Sequence, residues 1–452
     1  MRKRIAWLAL VVTGVVLLCA CGQRVSAPTT GTNASSNVTT TETAVITTTA
    51  DSLSSMGEST TDTTTQTLPS VSKTVKTTTT TKRSTTKSTT AKPSTTKPTV
   101  ANTPTVLPSE MRGAWVSYIE LNALFSKCAT AAQAKAAIDN LFDMLADARI
   151  NVIFFHVRAN SDAYYDSAIF KAASSVSKLL SAGFDPLTYA VEAAHKRSMQ
   201  LHAWVNPYRV GFNSAYVVKD VPTFKDTAGR YYYAPTSTTA QALILDGIRE
   251  LLNNYAIDGV QYDDYFYPSD GSGDTTNADL RRAGVDALVS GTYTLVKSKG
   301  KVFGVSPAHN ADNTYNKLYA DVKKWMSQSG YVDYICPQLY FGFEHSTAAL
   351  DKMVATWKGY PRHTSVKLCV GLALYKIGLK SDTYAGAGKT EWADNTDIMK
   401  RSVQYLRQQN IKGIFFYCAT VFDPTTCAVV DFKNDSDLAV AKKEIENLLS
   451  VL

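Results

Sequence analysis

From about residue 110 onward, short apolar runs alternate with longer stretches in which apolar positions recur every three or four residues. The short runs read as strands and the longer stretches as amphipathic helices. Candidate strands fall at 113–118, 151–158, 200–205, 259–263, 302–306, 332–337, 367–374 and 413–418. Candidate helices lie between and after them, at 131–148, 186–197, 239–255, 278–299, 316–328, 347–357, 394–409 and 436–449. Runs such as Val152-Ile153-Phe154-Phe155 and Ile414-Phe415-Phe416-Tyr417 are apolar at consecutive positions, so both faces of those strands are covered. Eight strands alternating with eight helices predict an α/β chain folded as a (β/α)8 (TIM) barrel. A doubly wound open sheet is the alternative, but the first strand is followed by no Gly-rich phosphate loop.

The first hundred residues follow a different pattern. Met1-Arg2-Lys3-Arg4 is basic, and the apolar run to Leu18 is too short for a standard membrane span but suits a secretory leader. Leu18-Cys19-Ala20-Cys21 resembles a lipobox, which implies cleavage after residue 20 and a lipidated Cys21. Residues 21–106 are dominated by Thr, Ser, Ala and Pro, a composition that buries too little apolar surface to fold. The expected organisation is therefore a signal peptide (1–20), a lipid-anchored linker (21–106) and one barrel domain (107–452). The expected location is extracytoplasmic, on the cell membrane, as a monomer.

The formal net charge is +8, but residues 1–100 carry +7 of it. The domain is close to neutral and offers no electrostatic footprint for nucleic acid. Seven cysteines make no disulfide framework; Cys336, Cys369 and Cys418 sit in apolar runs and are expected to be buried thiols, while Cys128 and Cys427 are undetermined.

Barrel chemistry gathers where strands end and βα-loops begin. That rule selects Tyr118 and Glu120 after strand 1; His156, Arg158, Asn160 and Asp162 after strand 2; and His202, Trp204, Asn206, Tyr208 and Arg209 around strand 3. Strand 4 ends in Gln261-Tyr262-Asp263-Asp264-Tyr265-Phe266-Tyr267-Pro268. Strands 5 to 8 add Ser306, His309, Gln338, Tyr340, Glu344, His345, Tyr375, Tyr417, Thr420 and Asp423. Carboxylates, aromatic rings and amide or guanidinium donors in one rim suit a sugar, whose CH faces stack on rings and whose hydroxyls take polar partners.

The strings Met111-Arg112-Gly113-Ala114-Trp115, Asn206-Pro207-Tyr208-Arg209, Asp258 to Pro268 and Pro337-Gln338-Leu339-Tyr340 resemble the glycosyl hydrolase-like 10 family. That resemblance covers residue 110 to the C-terminus. It implies a bacterial envelope (β/α)8 barrel that cleaves peptidoglycan glycan strands, including strands stripped of peptide. Two departures stand near the rim. Gly284 and Asp286 occupy positions where the resemblance leads one to expect asparagines, and the segment after Ser306-Pro307 is abbreviated. Strand 4 also faintly resembles the Asp-rich string of chitinase-type barrels, but the position of their acidic Glu is Tyr265 here.

Glycoside hydrolysis usually requires two carboxyl groups, one protonated and one ionised. The candidates are Asp264 with Asp263 in support, since neighbouring strand residues face opposite ways unless the chain turns. Glu344 is the first choice for a further carboxyl, followed by Asp162, Asp423 and Glu120. Arg158, Asn160, Asn206, Tyr208, Arg209, Tyr265, Tyr267, His309 and Gln338 read as substrate-positioning groups, and Trp204 and Tyr340 as stacking platforms. No cofactor or metal is expected, because His156, His202 and His309 lack metal-ligand spacing. Two other readings stay open: a non-catalytic wall-glycan-binding module, and an esterase on the same glycans.

Overall fold

Each strand lies beside its predecessor, and the ladder ends on the strand where it begins. The computed structural model describes residues 104–268, 273–427, 429–432 and 434–452; the leader, Cys21 and nearly all of the linker lie outside them. The barrel strands are β1 (Met111–Val116), β2 (Val152–Arg158), β3 (Gln200–Val205), β4 (Gly259–Tyr262), β5 (Val302–Val305), β6 (Tyr334–Ile335), β7 (Lys367–Leu368, continuing as Val370–Leu372) and β8 (Gly413–Phe416). All pairings are parallel. The first half of β7 pairs with β6 and the second with β8, so an eight-strand barrel closes at Cys369.

The helices follow the apolar periodicity. α1 (Tyr118–Phe125) was not anticipated; it starts at a capping box in which Ser117 and Glu120 serve each other's backbone N–H. α2 (Ala131–Asp147), α3 (Pro186–Lys196), α4 (Thr238–Asn254) and α5 (Ala278–Ser298) match the sequence reading within two residues. The single helix expected at 316–328 is instead two, α6 (Ala311–Lys317) and α7 (Val322–Ser327), with Tyr319 between them at φ 52°. α8 (Leu350–Gly359), α9 (Ile398–Gln408) and α10 (Leu438–Leu449) complete the ring. A three-stranded antiparallel sheet (Arg209–Gly211, Thr223–Lys225, Tyr231–Tyr233) forms a lobe on the β3 loop.

Two apolar clusters follow from the strand alternation. Outward side chains pack under the helices. Inward ones, including Trp115, Phe154, Tyr334 and Phe415, fill the barrel. The large rings fit because facing positions are glycine: a Cβ on Gly113 would meet Phe154 at 2.5 Å, and one on Gly304 would overlap the Tyr334 ring. Gly304→Ala is therefore expected to destabilise the domain by about 1–3 kcal/mol, measured as a lower Tm; an unchanged Tm would mean that the Tyr334 ring moves at no cost. Cys336, Cys369 and Cys418 are buried thiols outside any disulfide, as expected, and Cys128 and Cys427 are partly buried thiols.

The two departures near α5 have local causes. A Cβ at position 284 would come within 2.5 Å of the Pro235 carbonyl oxygen, so close packing of α5 on the β3 lobe requires glycine. Asp286 accepts hydrogen bonds from Trp325 Nε1 and Lys324 Nζ, both 2.6 Å, and holds α7 against α5.

Candidate active site

β4 ends at Tyr262, and the chain turns at once: the Tyr265 N–H donates to Asp263 Oδ1 (3.1 Å) and the Phe266 N–H to the Asp264 carbonyl (3.0 Å). Asp263 is the next inward residue after Gly259 and Gln261, and it is 3% exposed. The turn brings Asp264, half-buried at the mouth, close enough for its charge to act on Asp263. Both consecutive carboxyls thus serve one site.

Their surroundings differ. Asp263 accepts two N–H bonds, from Tyr265 N and from Trp204 Nε1 (3.1 Å). Asp264 meets only Gln338 Nε2, at 3.4 Å, among the side-chain bonds of the described residues. Gln338 also donates to the Ser306 carbonyl (3.1 Å), which fixes its amide between the β5 and β6 ends. No arginine of the described residues comes within ion-pair distance of either carboxyl. Burial pushes the Asp264 carboxyl up to about 6. Burial also raises Asp263, and the Asp264 charge beside it raises it further. The pair therefore retains one proton across the neutral range. The two N–H donors steady negative charge on Asp263, and the pair shares the remaining proton.

Trp204 is placed by a relay from β2 and β3. Its indole stacks on His156, with ring centroids 3.7 Å apart and 12° between planes. His156 Nδ1 accepts from the Tyr118 N–H (3.3 Å), so Nε2 carries the proton and donates to Asn206 Oδ1 (3.1 Å). Burial, with Arg209 and Arg158 nearby, holds His156 well below the ordinary histidine range, hence neutral. Asn206 Nδ2 donates to the Ala159 carbonyl (3.1 Å). Arg158 Nη2 donates to the carbonyls of Asn206 (2.8 Å) and Pro207 (2.5 Å).

This placement corrects several sequence expectations. Arg158, Asn206, Tyr208 and Tyr267 are at most 2% exposed, so they form the wall and do not face a ligand. Tyr267 donates to Asp274 (2.9 Å) and stacks on Phe224, inside the β3 lobe. Trp204 is 6% exposed and spends its N–H on Asp263, so its first role is to hold that carboxylate. Asn160 packs against Gly211 and its N–H donates to Asp162.

The further carboxyl candidates are not brought to the pair. Glu344 is exposed on the β6 loop, where its backbone N–H donates to Glu391 (3.0 Å). Glu120 is buried and takes bonds from Ser117 N and from Thr420 N and Oγ1, tying β1 to the β8 loop. Asp423 is engaged by Thr425 and Thr426. Asp162 shares the field of Arg209 with the pair.

Other expected residues do line the mouth. The Arg209 guanidinium lies between the rings of Tyr265 (4.6 Å) and Tyr118 (5.7 Å). Tyr340 stacks on Tyr417 at 5.9 Å and 20°. His309 is half-buried against Phe341. Two supporting residues were missed by the strand-end rule: Lys376, which directly follows the selected Tyr375, and Glu391, which lies well beyond the end of β7. Lys376 Nζ donates to the Tyr340 carbonyl (2.9 Å) and pairs with Asp382 (2.7 Å). Glu391 accepts the N–H groups of Phe343 and Glu344, clipping down the β6 loop. Among the described residues no group of three or more His, Cys, Asp and Glu side chains is arranged to hold a metal ion.

An eight-stranded parallel barrel with a carboxyl pair and aromatic rings at its C-terminal mouth defines the class: a (β/α)8 protein of the glycosidase type. The chain belongs to the glycosyl hydrolase-like 10 family, whose model matches residues 110–290 and 272–386. It is similar to glycosyl hydrolase DigH of Escherichia coli K12, 28% identical over 350 residues, covering 64% of this chain and 79% of that protein. It is also similar to glycosyl hydrolase YngK of Bacillus subtilis 168, 28% identical over 349 residues, covering 67% of each. Among solved structures, the PgaB (BpsB) glycoside hydrolase domain of Bordetella bronchiseptica superposes with a TM-score of 0.48 at 13% identity, covering 70% of this chain and 97% of that one.

Proposed function

We propose that this protein is a glycoside hydrolase that cuts the glycan strands of peptidoglycan, with strands freed of peptide among its substrates. The observation that carries the reading is the Asp263–Asp264 pair at the barrel mouth, with no arginine of the described residues within ion-pair distance. Asp264 gives its proton to the leaving glycosidic oxygen. Asp263, held by Trp204 and Tyr265, carries the negative charge that steadies the positive charge growing on the sugar ring. Water adds to the sugar, and its proton restores Asp264. Family membership and the names of DigH and YngK support the reaction class. The leader, Cys21 and linker support an enzyme tethered by lipid outside the cell membrane, within reach of the wall.

The test is incubation of the full chain with purified glycan strands, with new reducing ends read by mass spectrometry across pH. The one-proton state of the pair is the working state, so its sign is fixed. Below about pH 6 a second proton arrives and removes the charge of the pair. The expected profile has kcat/KM falling as pH drops through about 6 and falling again where the last proton leaves. Binding of strands with no cleavage at any pH would replace the hydrolase with a glycan-binding module.

A further inference from the structure

The geometry points to an aromatic track that crosses the barrel mouth from the β3 loop to the β7 loop and binds several consecutive sugars, making the protein an internal cutter of long strands; this rests on the hydrolytic reading above. In a closed ring of eight, β3 and β7 stand four strands apart, so their loops face each other across the mouth. Strand spacing of about 4.8 Å and a tilt of about 36° make such a barrel roughly 15 Å across. A line of rings spans that distance. Trp204 at the end of β3 meets Tyr417 at the end of β8 edge-on (6.5 Å). Tyr417 stacks on Tyr340 from β6, and Tyr375 after β7 closes edge-on against both, at 5.8 and 5.9 Å.

Each of the two facing loops carries an exposed ring. Phe212, 67% exposed, stands on the β3 lobe three residues beyond Arg209; Tyr384, 58% exposed, stands on the β7 loop. Single exposed hydrophobic side chains are ordinary. These two are set apart by standing on the two loops that face each other across the mouth where Asp264 lies. Polar groups such as Gln338 and Arg209 share the mouth with these rings, which is unlike the contiguous apolar patch that a protein partner covers. A linear glycan, with CH faces to stack and hydroxyls to bond between them, matches that spacing of apolar and polar contacts. The structure so assigns Phe212 and Tyr384 to outer sugar positions on either side of the scissile bond.

Full-length wild type, Phe212→Ala, Tyr384→Ala and the control Leu449→Ala would be assayed on long peptide-free glycan strands and on the tetrasaccharide of the same repeat. Each rim variant is expected to raise KM for long strands about fivefold and to lower the ratio of kcat/KM on long strands to that on tetrasaccharide by a similar factor. Leu449→Ala, on the remote helix α10, should keep the wild-type ratio. The first products of wild type should be of intermediate length. First products that are only single repeats, or equal losses on both substrates, would overturn the track. Should wild type cleave nothing, co-sedimentation with long strands decides separately. Binding lost in both rim variants retains the track while the hydrolytic reading fails, and binding unaffected by them removes it.

Discussion

Asp264→Asn is expected to lower kcat for glycan cleavage by about 10²–10⁴-fold, the range for loss of a positioned general acid, and at the same time to raise the Tm. The two effects share one cause. The pair takes its first charge near 6 in the folded protein, whereas each carboxyl ionises near 4 in the unfolded chain. Its folded value is raised, so ionisation favours the unfolded state. The penalty is absent below about pH 4 and grows as pH climbs through and beyond about 6, because the folded pair keeps a proton that the unfolded chain releases. At about 1.4 kcal/mol for each tenfold in ionisation, removing it stabilises the neutral-pH protein by about 1–3 kcal/mol. Asparagine keeps an acceptor for Gln338 and carries no charge. Melting curves at pH 4 and pH 7.5 check the sign: the gain should be present at the higher pH and vanish at the lower. A variant that cleaves as fast as wild type moves the acid elsewhere in the rim. A Tm gain equal at both pH values would mean that repacking, and not charge, explains it.

A stabilising substitution that destroys function marks a site at which burial has been set against stability. The same tension explains which parts of the molecule were legible in the sequence. Barrel strands are covered on both faces, so their apolar runs are continuous and recognisable even where only Tyr334 and Ile335 of β6 are regularly paired. Asp263 and Asp264 were legible because strand ends carry barrel chemistry. Their cooperation was not, since it depends on the turn after Tyr262. Arg158, Asn206, Tyr208 and Tyr267 have the residue types of a sugar site, yet the fold buries them. Residue type cannot separate a donor aimed at a ligand from one aimed at a backbone carbonyl. That distinction depends on pairings such as Trp204 with Asp263, which are 59 positions apart. The break between α6 and α7 was hidden for another reason: Tyr319, in the left-handed region, is no recognisable helix stop, and the apolar period continues through it.

The buried relay makes Arg158 the strongest remote lever on the reaction. Arg158→Met is expected to cost about 2–4 kcal/mol of stability and to lower kcat by about tenfold or more, although Arg158 touches no ligand. Methionine fills a similar volume against Phe170, where the guanidinium now lies 4.7 Å from the ring centroid. What is lost is the pair of charge-assisted bonds to the Asn206 and Pro207 carbonyls. Loss of a buried charge returns part of that cost, since the guanidinium is desolvated and no carboxylate of the described residues lies within ion-pair distance. The rest passes down the relay. A looser Asn206 no longer fixes His156, the ring beneath Trp204 shifts, and the indole N–H that holds Asp263 moves off its mark. Arg158→Lys should rescue little, because an ammonium cannot fork to two carbonyls in one plane. A purely structural role would lower Tm and leave kcat of the folded fraction intact. The relay instead requires kcat to fall at temperatures well below the Tm, with the limb of the pH profile near 6 displaced as the Trp204 bond weakens. Wild-type kcat and an unmoved profile in folded Arg158→Met would break the link between β2 and the carboxyl pair.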